Sequence, residues 1–342
     1  MPRDGSEDAP GTETAVSGVD ASRTETAPGG VDASGTETAV GGGDDGAPGQ
    51  EAATDGGHQT VSGHRFPSVV DDRRSGLRQL AVVASTEYRL AVRNRWAIAM
   101  TVVFAAFTLG LTTFSGASVS PDGFGRTVAS LAVLAVYLVP LVALAFGYDA
   151  IVGREESGWL QTLFALPISR AWIVLGTLVG RGIVLSAAAV IGFGVAGGLL
   201  LREFGLAGFD AYVAFTLATV GLGLAFLAVG VLLSTLASEK THALGAALLA
   251  WAWFVIVHDL LALGVIAAIR LPEAALSVLL LANPAAVYRT LVLGWLGAAG
   301  DAGFAAVLAA AGLSPGVLAA ALVAWIVIPT ALAAAAIGRR RV

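Results

Sequence analysis

From Leu77 onward the chain is built from apolar runs of roughly 20 residues, the length a helix needs to cross ~30 Å of hydrocarbon. Six such runs are read, at about 96–114, 128–148, 172–200, 212–236, 242–266 and 315–337. Inside a bilayer no water satisfies backbone N–H and C=O groups, so each run is confined to a helix. Composition agrees, since 56% of the 342 residues are hydrophobic and only 13% are charged. The expected fold is all-α: a polytopic membrane protein with about six transmembrane helices, spanning 77–342 and placed in the cell membrane.

The preceding residues, 1–76, have a different character. They are rich in Gly, Ala, Thr, Ser and Asp. A repeat runs from Thr12 to Ser22, returns from Thr24 to Ser34 and begins again at Thr36, a period of 12 residues. Such a segment has too little apolar side chain to offset its ordering entropy, so a disordered acidic tail is expected. No apolar stretch of a signal peptide lies in the first 60 residues, and the first membrane helix is expected to serve in targeting. There is no cysteine, which excludes disulfides and thiolate chemistry.

Lys and Arg set the expected orientation. Arg65, Arg73, Arg74, Arg78, Arg89, Arg93 and Arg95 precede the first run. Arg154, Arg170 and Arg181 follow the second, Lys240 follows the fourth, and Arg339, Arg340 and Arg341 follow the last. Only Arg126, Arg202, Arg270 and Arg289 fall on the opposite side. Both termini are therefore expected in the cytoplasm. Within 78–95, Leu80, Val83, Ala84, Tyr88, Ala91 and Val92 recur at helical spacing among Arg78, Glu87, Arg89, Arg93 and Arg95. This pattern reads as an amphipathic interfacial helix, or else as the first turns of a longer first span.

The outer connection, 267–314, contains Asn283-Pro284. Proline lacks an N–H and suits a first helical turn, so a helix, a break and a second helix are expected at or dipping into the outer surface. Two more spans are the alternative. Gly194, Gly197 and Gly198 on the third run read as sites of close helix packing. His258-Asp259 in the fifth run is the main intramembrane polar candidate. It reads either as a structural cap bonding a neighbouring helix or as a transport or gating site. No zinc helix, intramembrane aspartyl protease pair or Walker A loop is found. With no cysteine, two methionines and four histidines, a permeation path for soft metal ions is not expected, and no metal site is assigned.

A short polar island lies between the second and third runs. Arg154-Glu155-Glu156-Ser157-Gly158 is followed by the amphipathic Trp159-Leu160-Gln161-Thr162-Leu163-Phe164, and Leu166-Pro167-Ile168-Ser169-Arg170 returns the chain to the membrane. The stretch 153–166 reads as a cytoplasmic helix suited to a groove in a soluble partner. The order Arg154-Glu155-x-Ser157-Gly158-x-Leu160, then Leu166-Pro167-Ile168-Ser169-Arg170, resembles the permease subunits of type-2 ABC exporters. Asn283-Pro284-Ala285 with Tyr288-Arg289 is similar to the permease of copper-enzyme (nitrous-oxide-reductase) maturation systems, the NosY type. Ala286 and Tyr288 depart from the acidic-aromatic pattern usual after Asn-Pro-Ala in that type.

The resemblance implies a non-catalytic homodimeric permease in the lipid bilayer, driven by a separate cytoplasmic ABC ATPase that carries ATP and magnesium. The present chain would hold no cofactor and bind no nucleic acid. Trp159, Leu160, Leu163 and Phe164 would form the apolar side of the ATPase-coupling helix. Arg154, Glu155, Glu156 and Arg170 would be its polar contacts, with Ser157, Gly158 and Pro167 shaping its turns. Asn283, Pro284, Tyr288 and Arg289 would face an extracytoplasmic maturation protein. The alternatives are general export of drugs, lipids or polysaccharide, and an intramembrane enzyme using His258 and Asp259.

Overall fold

The computed structural model describes residues 69–114, 123–158, 169–206, 208–269, 271–296 and 312–339, with side chains from Gly76. The repeat-bearing tail lies outside the described residues. Helix α1 is Val69–Arg93 and α2 is Trp96–Phe114. They are separate helices, because the chain turns at Asn94 and Arg95 and Arg95 takes φ +60°, a left-handed value that an arginine rarely adopts. Next come α3, Gly123–Gly147, and the short α4, Val152–Glu156. Helix α5 is Arg170–Phe204, α6 is Phe209–Leu236 and α7 is Lys240–Ala252. A π-helical turn, Trp253–Val257, joins α7 to α8, His258–Ala268. Helices α9, Glu273–Leu281, and α10, Pro284–Trp295, precede α11, Pro315–Arg339.

Among the described residues six helical segments are long and apolar enough to cross a membrane, and they correspond to the six runs read from the sequence. Two differ in detail. Helix α5 has 35 residues, about 52 Å at 1.5 Å per residue, well beyond a hydrocarbon core. The fifth span is interrupted by its π-helical turn. Between the fifth and sixth spans, α9 and α10 meet at 109° across Asn283, a broken span or re-entrant pair.

The bundle packs around α5 and α6. Phe104 of α2, Phe193 of α5 and Phe215 of α6 form a ring chain, with centroids 5.6 and 5.4 Å apart. Small residues set the closest approaches, as expected where lipid gives no hydrophobic drive between helices. Helices α3 and α6 cross at Gly147 and Gly230, and a Cβ on either would sit 3.1 Å from the other's Cα. Helix α1 lies on α5 with Val83 against Gly176 and with Ala84 and Glu87 against Gly180. On the third span the packing glycines are thus Gly176, Gly180, Gly182, Gly192 and Gly197. Gly194 and Gly198 have nothing within 4 Å among the described residues, which corrects the reading of those two as contact sites. Pro140 loosens a turn of α3, and there Trp251 of α7 donates its indole N–H to the Tyr137 carbonyl at 3.0 Å.

A methyl group at Gly180 would lie 2.5 Å from the Ala84 carbonyl oxygen. Gly180→Ala is therefore expected to destabilise the detergent-solubilised protein by about 1–3 kcal/mol, whereas Gly194→Ala is not. Thermal unfolding of the two variants side by side checks this, and equal midpoints would contradict the α1–α5 packing.

Candidate functional site

Buried charge gathers at one end of the bundle, where α3 ends and α5 and α7 begin. The chain leaves α3 and turns into α4. Ile151 has no side chain to cap that helix, so a hydroxyl from another helix does it. Ser234 of α6, fully buried, accepts the N–H groups of Ile151 and Val152 at 2.9 and 3.1 Å. The polar island is thereby fastened to α6 before its first charged residue.

Arg154 of α4 points inward. Its guanidinium pairs with Glu87 of α1 and donates to Thr177 of α5 at 3.1 Å. Glu87 is 3% exposed. Its second oxygen accepts from Arg181 Nε of α5 at 3.2 Å, and Arg181 also reaches Asp149 Oδ1 at 2.8 Å and the Phe146 carbonyl. Lys240 Nζ, at the start of α7, is 3.7 Å from Asp149 Oδ2. The Lys240 backbone N–H donates to Glu156 Oε1 at 2.6 Å. A cleft of about 240 Å³ opens beside these groups, with Asn94, Trp96, Asp149, Arg181 and Lys240 on its walls. Arg154, Glu87, Arg181, Asp149 and Lys240 each face an opposite charge, the condition under which buried ions persist.

This geometry changes the reading of Arg154, which was expected as an outward contact for a soluble partner. It is turned inward because Glu87 and Thr177 lie within its reach. Glu155 is half-buried and Glu156 is exposed at the start of α7. Ser157 closes the turn by donating to the Arg154 carbonyl at 3.1 Å, and Gly158 takes φ +73°, which a residue with a Cβ would adopt only under strain. Arg170 opens α5 and approaches the Gly338 carbonyl of α11 at 3.5 Å. Trp159, Leu160, Leu163, Phe164 and Pro167 lie outside the described residues. Glu87, Asp149, Arg181, Lys240 and Ser234 did not stand out in the sequence. Glu87 carries a signal, for it shares the α1 face of Val83, Ala84 and Ala91.

A second polar cluster lies towards the opposite end. Asp259 of α8 pairs with Arg289 of α10 at 2.6 Å. His258 Nδ1 stands 3.6 Å from the other Asp259 oxygen, within ion-pair range but too far for a hydrogen bond, and neither ring nitrogen has a hydrogen-bond partner among the described residues. Asn283 caps α10 by accepting the Ala285 N–H at 2.9 Å, and it donates to the Phe254 carbonyl within the π-helical turn at 2.7 Å. The Tyr288 hydroxyl bonds Thr219 of α6 at 2.9 Å. Asn283 and Tyr288 are fully buried, and Pro284 is buried beside them. The sequence placed Asn283, Pro284, Tyr288 and Arg289 on a surface facing an outer protein. Instead these side chains hold the re-entrant pair to the fifth and fourth spans, since each polar group among them finds its partner inside the bundle. Among the described residues no three metal-ligating side chains come together.

Six apolar crossings among the described residues, a broken helix pair and charged groups spent on joining helices define a multi-pass membrane protein. Residues 81–341 match the ABC-2 family transporter proteins, and the chain belongs to that family. It is 38% identical over 275 residues to the probable ABC transporter permease protein NosY of Stutzerimonas stutzeri, a match covering 77% of this chain and 99% of that protein. The probable ABC transporter permease protein NosY of Pseudomonas aeruginosa is 37% identical over 275 residues, covering 75% and 97%. The chain is accordingly the non-catalytic permease subunit of an ABC transporter, a multi-pass protein of the cell membrane.

Removing one partner of a mostly buried ion pair strands the other. Asp259→Asn is expected to cost about 3–5 kcal/mol, and Asp259→Leu combined with Arg289→Leu less than the sum of the two single changes. Thermal unfolding in detergent measures both. Additive losses would show that the pair contributes nothing as a pair.

Proposed function

We propose that this permease is driven by a separate cytoplasmic ATPase that docks on the segment following α4. The ATPase would carry ATP and Mg2+, and two copies of the present chain would form the membrane unit. The observation that supports this best is the anchoring of α4: Ser234 caps it from α6, Arg154 ties it to α1 and α5, and Glu156 meets the start of α7. A docking segment has to be joined firmly to the helices it drives, and α4, which leads into it, is held to four. The excess of Lys and Arg at this end supports its cytoplasmic placement.

The subunit would serve copper-enzyme maturation, acting on an extracytoplasmic protein rather than passing metal. Two observations support that reading: the likeness to two proteins named NosY, and a chain without cysteine and with only two methionines. Because Asn283, Pro284 and Tyr288 are internal, an outer partner would meet the exposed side of α9, at Glu273, Ala274 and Val278.

The test is purification of the solubilised chain with its natural partners, followed by measurement of Mg-dependent ATP hydrolysis. An ATP-binding subunit is expected to accompany the wild-type chain. Leu160→Asp is expected to lose at least about tenfold of that retention, the scale of a polar group forced into an apolar contact, while still inserting in the membrane. A chain that retains no ATP-binding subunit would overturn the reading. A complex that expels lipid or drug from vesicles without any outer protein would replace maturation by general export.

A further inference from the structure

The position of Glu87 is not explained by packing alone. Its Cβ lies directly over Gly180 of α5, so α1 is pressed to α5 where the carboxylate emerges. The two carboxylate oxygens then take different cations, Arg154 from α4 and Arg181 from α5. Arg181 continues to Asp149 at the end of α3, and Asp149 to Lys240 of α7. One side chain on α1 thus closes a chain of charges that reaches α3, α4, α5 and α7.

A carboxylate this buried loses much of its compensation if either cation leaves. Any displacement of α4 therefore either carries α1 with it or breaks the pair. The opposite face of α1, with Val82 and Val92, is exposed and makes no comparable demand. Helical continuity with α2 is interrupted by the left-handed turn at Arg95. Helix α1 is thus gripped at Glu87 and jointed at its end.

We infer that Glu87 is a positioning residue that makes α1 travel with α4, so that motion imposed on the segment after α4 reaches α1 and α5 together. Helix α1 is then a lever rather than a passive anchor at the bilayer surface. The inference rests on the proposed docking of an ATPase, and its test separates the two.

The chain has no cysteine, so introduced cysteines give clean spin-label positions. Val82→Cys on α1 and Leu217→Cys on α6 are both exposed sites. In the complete permease–ATPase complex in lipid vesicles, the distance between these labels is expected to change on adding ATP and Mg2+. With Glu87→Gln added, the ATPase is expected to remain bound, the distance change to vanish, and permease-dependent stimulation of ATP hydrolysis to fall about tenfold, the scale of ordinary coupling between sites. Glu87→Asp, which keeps the charge, is expected to restore most of both signals. An unaltered distance change and stimulation in Glu87→Gln would overturn the inference and leave the permease reading intact. So would a wild-type complex whose α1 label never moves. A wild-type chain that binds no ATP-binding subunit would overturn the proposed function, and the lever with it. If Glu87→Gln does not accumulate in the membrane, Arg154→Gln is read in the same way: lost motion with retained ATPase supports the inference, and unaltered motion overturns it.

Discussion

The carboxylate of Glu87, held between Arg154 and Arg181, is the interaction on which the charged end of the molecule depends. Remove it and two guanidinium groups face one another in a poorly solvated space, with only Asp149 left between Arg181 and Lys240. Neither the small-residue contact of α1 with α5 nor the cap from Ser234 would compensate for that repulsion. The glycines and the ions are thus one device. Gly176 and Gly180 bring α1 close enough for its acid to reach across α5, and the acid in turn holds α1 at a distance that glycines alone permit without enforcing.

The far end follows the same logic with different parts. A π-helical turn leaves backbone groups that a regular helix would satisfy, and Asn283 supplies a donor to one of them, the Phe254 carbonyl. The same amide caps α10, whose proline has no N–H to offer. Asp259 and Arg289 then join α8 and α10 a little further along. The broken pair α9–α10 is therefore held by paired polar groups, which is what makes non-helical backbone tolerable at this depth.

The six crossings were legible because an apolar run of sufficient length has few other outcomes in a chain this poor in charge. The Asn283–Pro284 break was legible because proline and asparagine act locally. The π-helical turn was not, since Trp253 to Val257 are apolar throughout and carry no periodicity to be disturbed. The polar island showed itself by composition, but composition does not say which way a side chain points. Arg154 turns inward only because Glu87 and Thr177, far from it in sequence, arrive beside it. Tyr288 likewise read as an outward residue because its partner, Thr219, lies on a helix that only the tertiary fold brings near. Glu87 did not stand out, although its register with Val83, Ala84 and Ala91 carried a signal, and its two partners carried none, because pairing among three helices is a property of packing.

The π-helical turn also fixes an azimuth. It winds one residue more than an α-turn would, so the helix beyond it is rotated by about 100° relative to an uninterrupted α-helix of the same length. With that rotation in place the carboxylate of Asp259 meets Arg289. A chain shortened by one residue between Trp253 and Val257 would be a better helix and a worse fit, its acid swung round the axis to where its arginine is not. The apparent irregularity of the fifth span is in this sense a phase setting, and the span's two halves are tuned to different neighbours by it.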